Sequence, residues 1–306
     1  MAQNQDPLKK ILKELTLLHD APDSELIPKL SKYLSTSKSP VIAAAANMIK
    51  KRCLAELIPE LMNTATLLFS KDFTFDRGCL AKTALIETLD SLEADAADLF
   101  YFASSYRQLE PVAGGYEDRA SKLRARAIAG VVRMRHPNQY IQLAKLLFDP
   151  CEDARIGAVW AAEYAGTLEA ELLLIMKLLA GDKGSDLEQM ANDDGARVLG
   201  ECMSALLKLN PDSHIEFIVS FFYSHSSAIS HQACLSVGES KHPRAFSFLH
   251  SFWSSLIHAE DRRRLILPIA LTRSDDAYLF LLEQRNENAS YRSDIDEIMD
   301  FFGNRN

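Results

Sequence analysis

Apolar residues along the chain recur at the spacing of amphipathic α-helices, and these helices come in pairs. The first helix of a pair carries bulky apolar residues, as in ELIPKLSKYL, YIQLAKLLF and IEFIVSFFYS. The second is rich in alanine and other small residues, as in PVIAAAANMIKKR, LRARAIAGVVRMR and ARIGAVWAAEYAG. Alternating runs typical of β-strands are almost absent. The pattern therefore predicts an all-α chain.

The helix pair repeats roughly every 30 to 45 residues, with second helices beginning near residues 40, 77, 123, 154, 196, 231, 262 and 291. A repeat of this length is typical of an α-solenoid, in which each pair packs only on its neighbours. We predict one right-handed α-solenoid (superhelix) of about seven to eight helix pairs spanning residues 1–306. Residues 1–24 are expected to cap it as a helix, and residues 278–306 as a helix pair.

The segment DPCEDARIGAVWAAEYAG resembles the HEAT repeat, in which a turn of the form Asp-Pro-x-x-x-small-Arg precedes an alanine-rich second helix. The matching positions are Asp149, Pro150, Ala154 and Arg155. Bacterial HEAT-repeat proteins of this kind mostly have no assigned chemistry. The resemblance implies a hydrogen-bonded ladder of Asp and Arg side chains along the stack. Its predicted members are Asp149, Arg155 and Arg197, with Arg124 as a further candidate.

The second helix ARIGAVWAAEYAG carries few charged residues, and their positions predict which side of the helix is exposed. Its charges, Arg155 and Glu163, lie eight residues apart. Residues at that spacing share one face of a helix. We therefore expect these two side chains to form its exposed stripe, with the remaining positions buried.

Basic residues cluster in one segment of an otherwise acidic chain. The net charge is −8, from 34 Lys and Arg against 42 Asp and Glu, which disfavours binding to nucleic acid or to an anionic membrane. Residues 119–148 nevertheless contain no acidic residue. Second helices line the concave face of HEAT arrays, so the resemblance implies a concave, arginine-bearing face. Ordinary solvated helix charges are the alternative explanation.

The residues that we expect to contact a partner on this face are Arg124, Arg126, Arg133 and Arg155, with Tyr116 closing from a rim loop. Two segments are longer than a simple connection: VAGGYEDRAS at residues 112–121 and GDKGSDLEQMANDDGA at 181–196. Each falls between the first and second helix of a repeat, and equivalent loops of a solenoid project from the same edge. A flexible turn is one interpretation, and a pair of rim loops that clamp one mouth of the groove is the other.

Motifs that would indicate catalysis or cofactor binding are missing from the sequence. The eight histidines form no H-E-x-x-H pair, and the serines form no G-x-S-x-G motif. The acidic segment 181–196 lacks the residue order of an EF-hand loop, so we predict no metal site. The N-terminus lacks a signal-peptide pattern, and the apolar runs are too short to span a bilayer. These observations predict a cytoplasmic protein without a cofactor.

The sequence thus favours a non-enzymatic scaffold that binds an acidic or phosphorylated segment of a protein partner. One alternative is a HEAT-like bilin lyase or chaperone-type enzyme, in which arginines would hold the propionates of a chromophore. Another is a HEAT-like DNA glycosylase, which the acidic net charge disfavours. Homo-oligomerisation through the aromatic segments FIVSFFYSH and FSFLHSFWSSL is a further expectation, beside packing of these segments within the chain.

Overall fold

The structure, a computed structural model, describes residues 11, 13–15, 21–182 and 194–303. Most of the predicted N-terminal capping helix and most of the loop 182–195 lie outside these residues. Contacts between residues divide the chain into two compact units, Met1–Ala165 and Gly166–Asn306, called unit 1 and unit 2 below. Each unit is described by itself, and the continuous array over residues 1–306 stays a prediction.

Unit 1 is built of helix pairs and one β-hairpin. In chain order its elements are α1 (Asp23–Leu34), α2 (Ser39–Arg52), α3 (Ile58–Phe69), α4 (Leu80–Ser91), α5 (Ala97–Ser105), β1 (Leu109–Val112), β2 (Gly115–Asp118), α6 (Ser121–Arg133), α7 (Gln139–Leu147) and α8 (Glu152–Ala165). Short 3₁₀ turns lie at Ala55–Leu57, Phe73–Phe75 and Arg77–Cys79. Even-numbered helices are the second helices of the pairs.

Unit 2 continues the alternation of first and second helices. Its elements are α9 (Leu168–Ala180), α10 (Asp194–Leu209), α11 (Pro211–Val219), α12 (Ser227–Glu239), α13 (Ala245–Ser255), α14 (Ala259–Arg263), α15 (Ile266–Leu271), α16 (Asp275–Glu287) and α17 (Arg292–Gly303). A 3₁₀ turn at Ser220–Tyr223 extends α11. The all-α prediction is confirmed, and α16 and α17 form the helix pair at the end of the described chain. Within the described ranges, no helix is long and apolar enough to cross a bilayer.

Second helices of neighbouring pairs in unit 1 lie side by side and run in the same direction. The Ser121 hydroxyl at the start of α6 lies 3.3 Å from the Asp153 carboxylate at the start of α8. One turn further along, a Cβ placed on Gly157 would lie 2.5 Å from the Cα of Ala125. The two backbones therefore touch at this point, and they can do so because the residues between them are small.

The second helices of unit 2 make the same kind of contact. The hydroxyls of Ser204 on α10 and Ser236 on α12 are 3.0 Å apart. A Cβ placed on Gly238 would lie 2.2 Å from the carbonyl oxygen of Pro268 on α15. Glycine, alanine and serine at these crossing points leave room for one helix to pack against the next without a cavity.

The segment 112–121 is part of a β-hairpin, where the sequence had indicated a flexible turn or a rim loop. Strands β1 and β2 pair antiparallel, with Leu109 opposite Asp118 and Val112 opposite Gly115. Gly114 in the connecting turn has a φ of 95°, a conformation that glycine adopts readily. The strands are four residues long and contain Pro, Glu and Asp, which are rare in strands, so propensity does not predict them.

The aromatic first helices of unit 2 pack mainly against their own neighbours. Trp253 on α13 is 4% exposed and meets Phe280 on α16 edge-on, with ring centroids 5.4 Å apart. Its indole also lies against Tyr291, at 5.5 Å. Contacts between successive helix pairs therefore account for this aromatic content, and self-association through these helices stays a prediction.

Candidate functional site

An aspartate precedes each of three successive second helices in unit 1, and a cation follows it six residues later. The pairs are Asp76 with Lys82, Asp118 with Arg124, and Asp149 with Arg155. Each carboxylate accepts hydrogen bonds from backbone N–H groups of the turn or of the helix start. The aspartates thus satisfy donors that a helix N-terminus leaves without an intrahelical partner.

The first of these pairs is fully buried. Asp76 accepts hydrogen bonds from the backbone N–H groups of Ala81 and Lys82, at 2.9 and 3.0 Å, and from the Ser39 hydroxyl. The Lys82 ammonium lies 3.5 Å from Asp76, and both side chains are 0% exposed. Lys82 also donates to the side-chain oxygen of Gln108 at 2.9 Å. The ammonium is therefore compensated inside the protein.

Arg124 on α6 joins two of the aspartates. Its guanidinium donates from Nε and Nη2 to both oxygens of Asp149, at 3.1 and 2.9 Å. The remaining nitrogen, Nη1, donates to Asp118 at 2.8 Å and to the carbonyl of Tyr106 at 3.0 Å. Arg107 reaches the same two carboxylates at 3.0 Å each. The side chains of Arg107, Asp118, Arg124 and Asp149 thus form one network. We call this network and the Asp76–Lys82 pair together the ladder.

The electrostatics of the ladder favour the ionised forms of Asp118 and Arg124. Burial raises the pKa of Asp118, but hydrogen bonds from Ala120 and Gln108 and the charge of Arg124 outweigh it, so this pKa lies below its usual value. Burial lowers the pKa of Arg124, but Asp149 and Asp118 raise it above the ordinary value. Since Arg124 is 1% exposed and all its nitrogens are engaged, it stays a charged part of the interior.

Two arginines that we expected to contact a partner are therefore inaccessible. Arg124 belongs to the ladder, and Arg155 is 5% exposed and donates to the carbonyls of Asp149 and Pro150, at 2.9 and 2.8 Å. Neither guanidinium can reach a ligand at the surface, and both are left out of the proposal below. Asp149 pairs with Arg124 of the preceding repeat, as the HEAT resemblance implied for a ladder aspartate. Arg197 is exposed on α10, and its ladder role stays a prediction.

The other two predicted arginines lie on a surface formed by α2, α4, α6 and α8, here called the second-helix face. Arg126 on α6 is 53% exposed, and its guanidinium is 4.0 Å from Glu87 on α4. Glu87 in turn lies 3.1 Å from the Lys50 ammonium on α2. The Arg133 side chain is mostly buried, and its Nε donates to the carboxylate of Asp90 on α4 at 2.9 Å. Carboxylates on α4 therefore offset part of the positive charge, so this face is less basic than the sequence indicated.

Two aromatic residues on α8 belong to the same face. Trp160 is 48% exposed and Tyr164 is 66% exposed. They lie one turn apart, and Asp153, seven residues before Trp160, is exposed as well. The exposed stripe of α8 thus consists of Asp153, Trp160 and Tyr164. The prediction that Arg155 and Glu163 form this stripe was wrong. Arg155 is buried because its guanidinium folds back onto carbonyls of the preceding turn.

The aromatic pair and the ladder aspartates Asp76 and Asp118 were missed, although the sequence contains a signal for each. Trp160 and Tyr164 have the i, i+4 spacing of one helix face, although their size suggests the core. The repeated Asp-x₅-Lys/Arg spacing at residues 76, 118 and 149 is a stronger signal than the Asp-Pro turn, which occurs in only one of the three repeats.

Tyr116 lies apart from the arginines of the second-helix face. It sits on β2 opposite Pro111 and is 75% exposed. The hairpin is anchored through Glu110, which accepts from the backbone N–H of Gly78 and the side-chain amide of Gln108, at 2.7 Å each. Tyr116 therefore lies just before the start of α6, at the end of the helix where the ladder residues are. Its role in closing over a partner stays a prediction.

Comparisons with known proteins add little to this description. No family model matches the chain, and no curated protein matches it either. Among solved structures, human deoxyhypusine hydroxylase, in complex with glycerol, is similar with 14% identity and a TM-score of 0.33, over 88% of this chain and 92% of that one. An engineered protein is similar with 12% identity and a TM-score of 0.31, over 97% and 95%. At these scores the likeness carries no inference about function.

Proposed function

We propose that the protein is a non-enzymatic, HEAT-like scaffold that binds an acidic segment of a protein partner on the second-helix face of unit 1. The observation that carries the proposal is the exposure of Trp160 and Tyr164 one turn apart on α8, beside the basic helix α6. Tryptophan, tyrosine and arginine supply most of the binding energy at protein interfaces. A rigid helical surface also loses little conformational entropy when it binds an extended segment.

Charge complementarity supports an acidic rather than a basic partner. The exposed face of α6 carries Lys122 and Arg126, one turn apart, with no acidic residue on that helix. Glu87 is shared between Lys50 and Arg126, so it neutralises only one of the two cations near it. A carboxylate or phosphate of the partner can bind the exposed guanidinium of Arg126, while apolar partner side chains cover the aromatic pair.

The test is affinity capture from native lysate, followed by affinity measurement with the purified captured protein. The variant Trp160→Ser/Tyr164→Ser removes the aromatic pair, and Tyr278→Ser/Leu279→Ser removes comparable exposed apolar area from α16 in unit 2. The proposal predicts a captured protein whose Kd rises about 30-fold or more in the first variant, because interface hot spots contribute about 2 kcal/mol or more. The second variant should bind as wild type does.

A charge variant tests the chemistry of the partner separately. Lys122→Gln/Arg126→Gln should slow association and reduce its salt dependence, because exposed charges act mainly on the rate of encounter. Circular dichroism and melting of each variant should match wild type, because all six replaced side chains are exposed. The proposal is contradicted if the captured protein binds wild type and the aromatic variant equally well. It is also contradicted if wild type and the aromatic variant capture the same proteins from the lysate.

A further inference from the structure

Unit 2 contains a cavity of about 310 Å³ between the start of α12 and the segment that joins α13 to α15. Its buried floor is apolar and includes Phe222, Phe252 and Leu265. Its polar lining consists of Ser224, His225, Ser227, Ser230, His231, Asp261 and Arg264. A concave site with an apolar body and a few convergent polar groups is the usual form of a small-molecule site.

Several polar groups of this lining have no partner within the described chain. Nδ1 of His231 is buried without a hydrogen bond. Arg264 is exposed, lines the cavity, and makes no hydrogen bond or ion pair with a described residue. Asp261 lies one helical turn before Arg264, yet these two residues form no ion pair. A buried polar atom without a partner is rare in native proteins and indicates a missing water or ligand.

The charges around the cavity favour an anion. Burial and the charge of Arg264 lower the pKa of His231, so its ring is neutral near pH 7 and offers one N–H donor. Ser227 begins α12, whose N-terminal N–H groups and dipole also favour negative charge. Asp261 is the one carboxylate in the lining, and it opposes a second negative charge on the ligand.

We propose that this cavity binds a small organic anion, a molecule with one carboxylate or phosphate group on an apolar or aromatic body. The anionic group is held by Arg264 and by hydrogen bonds from the histidine side chains and from the hydroxyls of Ser224 and Ser227. The Ser230 hydroxyl already donates to the carbonyl of Phe222, at 2.6 Å. The body lies against the rings of Phe222 and Phe252, whose centroids are 5.2 Å apart. This site is independent of the second-helix face of unit 1, because none of its residues belongs to that unit.

The experiment is calorimetric titration and thermal shift of the full chain with three probes. These are 3-phenylpropionate, phenyl phosphate and the neutral alcohol 3-phenylpropanol. The two anions should raise Tm at about 10 mM, and the alcohol should bind at least ten-fold more weakly, because it cannot form a charge-assisted hydrogen bond with Arg264. The ratio of the two anion affinities then distinguishes a carboxylate site from a phosphate site.

Three variants should change the affinity for the two anions in three different ways. Arg264→Gln should weaken both anions about ten-fold or more, whereas Asp261→Asn should tighten them by about five-fold or less, because it removes one like charge. Arg292→Gln removes the same charge from an exposed position outside the cavity and should leave both affinities unchanged. Wild type that binds neither anion at about 10 mM, or that binds them unchanged in Arg264→Gln, overturns the proposal.

Discussion

The burial of Arg124 has a large energetic consequence. This residue is 1% exposed and lies between Asp118 and Asp149, whose side chains are 8% and 1% exposed. Removing charges from water is costly, and the network is stable only because each carboxylate oxygen meets a donor. Removing Arg124 would leave Asp118 and Asp149 with Arg107, which is half exposed, as their shared counterion.

Replacing Arg124 by methionine should lower the free energy of unfolding by about 3–5 kcal/mol, the usual effect of removing one partner of a buried ion pair. Urea unfolding followed by circular dichroism measures this loss. The matched control is Arg126→Met on the same helix, which is half exposed and should change stability by about 0.5 kcal/mol or less. Similar losses in the two variants would contradict the structural role of Arg124.

His231 gives a prediction for the pH dependence of stability. Burial, and then the charge of Arg264, lower its pKa in the folded protein below the ordinary value of about 6.5. As pH falls below that value, the unfolded chain takes up a proton that the folded chain does not. The contribution of this residue to the free energy of unfolding therefore decreases from pH 7 toward the lower, folded-state pKa.

The comparison with His231→Gln isolates this contribution from those of other titrating groups. The difference in free energy of unfolding, wild type minus variant, should decrease as pH is lowered from about 7 to 5.5. Urea unfolding at several pH values measures it. Parallel pH profiles for the two proteins would show that His231 titrates alike in the folded and unfolded states.

At the scale of the element, the packing of α6 against α8 depends on one missing side chain. A Cβ on Gly157 would lie 2.5 Å from the Cα and Cβ of Ala125, and 2.8 Å from its carbonyl oxygen. These atoms belong to backbone or to its first side-chain carbon, so they cannot rotate away. The alanine-rich composition of the second helix therefore reflects how close its neighbour lies.

Gly157→Ala separates helix propensity from this contact, because the two effects have opposite signs. Propensity alone predicts a gain of about 1 kcal/mol in the free energy of unfolding, since glycine is a poor helix residue. Overpacking predicts a net loss of about 1–3 kcal/mol. We expect the loss, measured by urea unfolding. A gain would mean that the helices can separate at little energetic cost.

The sequence predicted the helices of the fold better than it predicted the contacts between side chains. Helix pairs followed from hydrophobic spacing, because that spacing records which face of each helix is covered. The hairpin was missed, since its strands are stabilised by Glu110 binding Gly78 and not by strand propensity. The sequence left Arg124 both as a ladder candidate and as a partner contact, because its partners Asp118 and Asp149 are adjacent in space while 31 residues separate them in the sequence.

At the scale of the whole molecule, each unit contains its own core. Leu26, Phe100 and Val131 are completely buried in unit 1, as are Leu174, Met203 and Ile269 in unit 2. Stability in a repeat protein is close to a sum of terms from each repeat and its neighbours. The residues of unit 1 thus have most of their stabilising contacts within that unit.

A fragment of residues 21–165 should accordingly fold without the rest of the chain. We expect a helical circular dichroism spectrum and a cooperative urea transition. Arg124→Met should destabilise the fragment by about as much as it destabilises the full chain, because its partners all lie in unit 1. A fragment with the spectrum of an unfolded chain would show that unit 1 depends on residues beyond 165.

The ladder also determines where this array can gain or lose repeats. Arg124 bonds the aspartate before its own helix and the one before the next, so residues 119–149 carry one cation and one carboxylate of the network. Duplication of that segment would give every new arginine an aspartate on either side. A deletion that removed Arg124 but kept Asp149 would instead leave this buried carboxylate with Arg107 alone as its charged partner. The charge pairing of the ladder would therefore be kept when whole 31-residue periods are added at the turns that follow the aspartates.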